Sequence, residues 1–164
     1  MAVFLCMMAA CAAEPATEDG MDQRSKRIEW AFNTLTRDNL EILDEFYAPD
    51  VHFEDPLGAI EGLAKLKAYY AGMYENVQEI HFDFKDEVAQ GDTHVVVWMM
   101  RMKVKGLNKG EEVTVDGNSV IRFNDDDLVS YHRDYFDVGA MVYEHVPVVR
   151  FLVKKIKNRL SHGD

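Results

Sequence analysis

The sequence predicts an α+β fold in which helices cover one face of a curved antiparallel sheet. Three observations carry that prediction. Apolar residues recur at helical spacing through the first part of the chain, the period changes to that of strands near residue 78, and turn residues then divide the remainder into four runs. At 164 residues, with 48% hydrophobic and 29% charged residues, the chain has the length and composition of one globular domain.

Residues 1–20 stand apart. Met1 to Ala13 is a short apolar run, followed by a polar tether from Glu14 to Gly20. Two readings stay open. In one, the start is mis-set, the working chain begins at Met21, and the protein is cytoplasmic. In the other, Met8-Ala9-Ala10-Cys11 resembles a bacterial lipoprotein cleavage box, with a lipid on Cys11 and a membrane-anchored protein. Residues 21–145 are expected to form the domain, and 146–164 a separate C-terminal helix.

Ile28, Ala31, Phe32 and Leu35 make a helical stripe over 27–35. A second helical pattern starts at Asp38, with Glu41 three residues on as in a capping box, and Pro49 stops it. Val51 to Glu54 predicts a short strand, closed by the turn Asp55-Pro56-Leu57-Gly58. A third helix is expected from about Gly62 to Glu75, with Leu63, Leu66, Tyr70 and Met73 on one face. Strands are then expected at about 78–88, 94–105, 111–123 and 128–136. The segments around Gly91, from Gly106 to Gly110 and from Asn124 to Asp127 have turn chemistry, so the four runs predict a meander. The run from His94 to Lys105 is apolar on both faces. Helices can cover one face, and a second subunit, giving a homodimer, is expected on the other.

The last helix is amphipathic. Val149, Leu152, Val153, Ile156 and Leu160 form a stripe, while Arg150, Lys154, Lys155, Lys157 and Arg159 supply five cations and no acid lies among them. It is read either as docked on its own acidic domain or as contacting an anionic membrane surface or acidic partner through residues 148–160. Lys and Arg number 18 against 29 Asp and Glu, for a net charge of −11, which argues against binding nucleic acid. Both cysteines, Cys6 and Cys11, precede the predicted domain, so no disulfide framework or cysteine zinc site can form within it. No apolar run reaches the ~20 residues that cross a bilayer as a helix.

The element order, together with two motifs, resembles the nuclear transport factor 2-like or SnoaL-like superfamily. Phe46-Tyr47-Ala48-Pro49-Asp50-Val51-His52-Phe53-Glu54-Asp55-Pro56-Leu57-Gly58 is similar to the ketosteroid isomerase segment that ends in Glu-Asp-Pro-x-Gly. Arg133-Asp134-Tyr135-Phe136-Asp137 is similar to the last-strand motif of limonene-epoxide hydrolase. The resemblance covers roughly 27–140. It implies a cone-shaped sheet wrapped around the N-terminal helices and a cavity for a small apolar molecule bearing a carbonyl, hydroxyl or epoxide.

The resemblance also assigns residues. Asp55 falls on the general base of the isomerase. Ala31 and Ser119 stand where that enzyme has its oxyanion tyrosine and protonated aspartic acid, which leaves Trp30, Tyr69 or His132 to substitute. Asp134 and Arg101 fall on the hydrolase's first carboxylate and arginine, and Lys103 replaces its second carboxylate. Phe53 and Asp55 replace its tyrosine and asparagine. Two ion pairs across the cavity, Asp55–Lys103 and Arg101–Asp134, are therefore expected. Alternation alone would send the Trp98 face inward, whereas the resemblance sends Arg101 inward. The expected orientation is that of the resemblance, with Arg101 inward and the Trp98 face toward a second subunit.

The expected catalytic set is Asp55, Asp134, His132, Arg101 and Lys103, with Phe53, His52, Trp30, Tyr69, Met99 and Ser119 contacting ligand. His52 and His132 are expected to approach each other near Asp55. No metal is expected, because no ligand spacing such as His-Glu-x-x-His occurs, and no cofactor, because no Gly-rich phosphate loop or dinucleotide fingerprint occurs. Two functions remain open: acid–base isomerase, hydratase or cyclase-type chemistry, or a non-catalytic module that binds a lipid-like molecule.

Overall fold

The computed structural model describes residues 18–161, so the expectations for Cys11 and the first 17 residues lie outside the described part. Helix α1 (Glu18–Thr34) and the short α2 (Ile42–Phe46) lead into strand β1 (Tyr47–Asp55) and its hairpin partner β2 (Gly58–Glu61). Helix α3 (Leu63–Met73) follows and ends in a 3₁₀ turn, Tyr74–Asn76. The meander comprises β3 (Val77–Gln90), β4 (Thr93–Val104), β5 (Val113–Phe123) and β6 (Val129–Phe136). A short helix α4 (Val138–Met141) and a 3₁₀ turn at Tyr143–His145 connect it to α5 (Pro147–Ser161).

One six-stranded sheet has the order β2-β1-β6-β5-β4-β3. All its neighbours are antiparallel except β1 and β6, which run parallel. The sheet is curved and unclosed, and the helices pack in its hollow. Ile28, Ala31, Phe32 and Leu35 of α1 are all buried, as their i, i+3, i+4, i+7 spacing requires. Two arginines on the same helix anchor it to the hairpin turns. Arg24 reaches Asp127 at 2.6 Å and Asp92 at 2.7 Å, and Arg27 also binds Asp127. Because Asp127 sits in the β5–β6 turn and Asp92 in the β3–β4 turn, these pairs fix the helix across the sheet.

Three expectations are revised. The second helix shrinks to one turn, and the capping box at Asp38 does not form. Asn39 instead accepts from the Thr36 backbone N–H at 2.6 Å, and the chain is already extended when it reaches Pro49. β4 is oriented as its alternation predicts and not as the resemblance did. His94, Val96, Trp98, Met100 and Met102 are buried, while Met99, Arg101 and Lys103 lie on the outer face. The greasier set goes inward because burying indole and thioether surface is favourable, whereas burying two cations without partners is costly. Finally, His52 and His132 lie on opposite faces of the sheet and do not converge.

Candidate functional site

The hollow contains a pocket of about 80 Å³. Its apolar wall comes from Ala31 and Phe32 of α1, Phe53 of β1, Trp98 and Met100 of β4, and Phe136 of β6. Six polar side chains also line it: Tyr47, Asp55, Tyr70, Tyr74, His132 and Asp134. Strand alternation places three of them. Phe53 and Asp55 share the inward face of β1, and His132 and Asp134 share that of β6. Room for the Trp98 indole is made by Gly117, its direct partner on β5, where a Cβ would fall 2.2 Å from the ring.

A chain of hydrogen bonds runs through the wall to Asp134. Trp98 Nε1–H donates to Ser119 Oγ at 2.8 Å, and Ser119 donates to Asp134 Oδ1 at 2.5 Å. His132 Nε2 lies 2.8 Å from the same oxygen, and its Nδ1 lies 2.6 Å from the Tyr47 hydroxyl. A carboxylate only accepts, so Nε2 carries the hydrogen and Nδ1 accepts from Tyr47. His132 is 1% exposed and enclosed by the rings of Phe32, Tyr47 and Phe53. Both of its nitrogens are engaged, and it holds Asp134 Oδ1 in place. Among the described residues no hydrogen bond reaches Asp134 Oδ2 or the Tyr74 hydroxyl.

Asp55 is more fully committed. Its Oδ1 accepts from the backbone N–H of Leu57 at 2.7 Å and Gly58 at 3.0 Å, closing the turn, and its Oδ2 accepts from Tyr69. Burial raises the pKa of Tyr47, Tyr69, Tyr70 and Tyr74 above the ordinary phenol value, so all four hydroxyls remain protonated donors at neutral pH.

The other expected residues lie elsewhere. Arg101 binds Asp83 at 2.9 Å and Lys103 binds Glu79 at 2.8 Å, so neither pair expected across the cavity forms. The Arg101 guanidinium holds the Asp83 carboxyl below its usual range. His52 stacks on Tyr131 and binds Glu61 at 2.6 Å on the outer face. Trp30 is 38% exposed and, like the outward-facing Met99, is not part of the pocket wall. The sequence reading missed Tyr47 and Tyr74. Tyr74 lies four residues after Tyr70, on the helical stripe already recognised, and that spacing was the available signal. No group of three or more His, Cys, Asp or Glu placed to hold a metal ion occurs among the described residues.

The family model of the SnoaL-like domain matches residues 28–132. Several solved structures are similar in fold. An NTF2-like protein of unknown function from Burkholderia pseudomallei is 21% identical, with a TM-score of 0.64, covering 76% of this chain and 96% of its own. A candidate SnoaL-like polyketide cyclase from Jannaschia sp. CCS1 is 19% identical, with a TM-score of 0.64 and coverage of 73% and 89%. A hypothetical protein with a ketosteroid isomerase-like fold from Catenulispora acidiphila, solved with trimethylamine, is 15% identical, with a TM-score of 0.64 and coverage of 75% and 91%. No curated protein sequence matches the chain.

Proposed function

The chain belongs to the SnoaL-like domain family, and from that premise we propose that its pocket binds a compact apolar carbonyl compound and moves a proton beside the carbonyl. One observation carries the reading: Asp134 faces the pocket with Oδ1 held by Ser119 and His132 and with Oδ2 open. In this reading Oδ2 takes the proton from the carbon next to the carbonyl. The Tyr74 O–H donates to the oxygen on which negative charge develops, and burial keeps that donor protonated. His132 fixes the carboxylate, and Tyr47 fixes the tautomer of His132. Asp55 shapes the turn and positions Tyr69. The product class is an isomerised, dehydrated or cyclised carbonyl compound. The candidate polyketide cyclase among the structural neighbours is compatible with this chemistry.

The pocket limits the substrate. Its volume of about 80 Å³ is below the ~150 Å³ of a cavity that holds benzene. A ring therefore enters only if the flexible Met73 and Met141 side chains in the wall move aside. The second reading, carriage of an apolar molecule without turnover, is favoured by the full commitment of both Asp55 oxygens. The proposal also seats a second copy of the chain on the outer face of the sheet. There Val88 is 66% and Val97 is 41% exposed, and Val95 of β4 pairs with Val120 of β5 on the same face.

The test uses exchange of hydrogens beside the carbonyl of a small cyclic enone in heavy water, followed by NMR. The protein is expected to accelerate exchange, and Asp134→Asn to lower the rate by ~10²-fold or more. No acceleration by the wild type, or equal rates for Asp134→Asn, would overturn proton transfer. Native mass spectrometry showing a retained apolar molecule together with absent exchange would establish carriage instead.

A further inference from the structure

We propose that α5 is a docking element for an anionic lipid bilayer surface, separate from the pocket. The helix contacts the domain through the row Val149, Val153 and Lys157. The two valines are half-buried, and Lys157 binds Glu144 of the preceding 3₁₀ turn. The adjacent row, Val148, Leu152, Ile156 and Leu160, repeats every four residues and faces away, with Leu160 79% exposed. Phe151, 69% exposed, extends that strip. An apolar strip of this length is costly to leave in water, so it needs a cover.

Charge identifies the cover. The helix carries five cations and no acid, and Arg150, Lys155 and Arg159 are exposed. The remainder of the chain is five units more negative than the net −11 of the whole. A basic helix with Phe and Leu on its apolar strip matches an interface of acyl chains below anionic headgroups. The acidic body does not prevent this approach. Charges beyond a Debye length of ~8 Å at physiological salt are largely screened, and the main contact of α5 is with the 3₁₀ turn that precedes it. No helix among the described residues is long and apolar enough to span a bilayer, so the helix would lie on the surface.

The experiment is co-sedimentation of the full chain with vesicles of phosphatidylglycerol and phosphatidylcholine, compared with phosphatidylcholine alone. Binding is expected only to the anionic vesicles and is expected to weaken as salt rises. Phe151→Ser with Ile156→Ser should weaken binding at least tenfold while leaving thermal unfolding unchanged, since both side chains are exposed. Lys155→Gln with Arg159→Gln should reduce the salt dependence. The double serine variant keeps residues 1–20, so undiminished binding by it would locate the affinity in the N-terminal run and overturn the proposal. Absence of wild-type binding, or equal binding to neutral vesicles, would also overturn it. So would a wild-type dimer that the serine variant splits, because a second copy would then be the cover.

Discussion

Three buried phenols, Tyr47, Tyr70 and Tyr74, and the half-buried Tyr69 set how this protein responds to alkali. Burial lifts the pKa of Tyr47, Tyr69, Tyr70 and Tyr74, and proximity to Asp134 pushes each in the same direction. In an unfolded chain phenols ionise near pH ~10, whereas the folded chain keeps these protons. Above that pH the unfolded state binds fewer protons than the native one, so stability falls as pH rises; below it the contribution is complete. The four tyrosines should therefore ionise in one cooperative step that coincides with loss of the far-ultraviolet circular dichroism signal. Phenolate absorbance that rises fully while the fold persists would contradict their burial. At this same scale, the Asp134→Asn exchange experiment separates a reacting carboxylate from a merely structural one.

At the scale of elements, the contact between β4 and β5 depends on a missing side chain. Trp98 lies across Gly117, and a Cβ there would collide with the indole at 2.2 Å. Gly117→Ala should cost ~1–3 kcal/mol by overpacking, read as a lower denaturation midpoint with altered Trp98 fluorescence. An unchanged midpoint would mean the ring has space to withdraw. The same strand shows what could be read from the sequence. Its even-numbered residues are apolar from His94's neighbour Val96 to Val104, and that alternation identified the buried face correctly. Template matching at Arg101 and Lys103 reversed it, because local motifs carry identity without register and a one-residue slip exchanges the faces. The stripe of α1 and the four meander runs were legible because their periods extend over many residues. β2 and α4, at four residues each, are too short to show a period. Of the pocket-lining residues, Phe53, Asp55 and Asp134 lie in the two motifs and His132 shares a strand face with Asp134, whereas Ser119 and Tyr69, named from the resemblance, do not line the pocket. Tyr47 was not legible as a site residue, because its contact with His132 depends on the parallel pairing of β1 with β6; Tyr74 was signalled only by its spacing from Tyr70.

At the scale of the molecule, the outer sheet face and α5 are two separate apolar surfaces with different expected covers. Light scattering should give twice the mass of the chain, and Val88→Glu with Val97→Glu should halve it without unfolding the monomer. A monomeric wild type would remove the second copy from the outer face. The course of the chain after β6 has a further consequence. Phe136 and Met141 stand in the pocket wall, and a few residues later the backbone becomes α5. Part of the pocket wall and the helix proposed to meet a lipid surface are thus consecutive stretches of one short segment. A helix held on such a surface would therefore restrain the very segment that carries Met141.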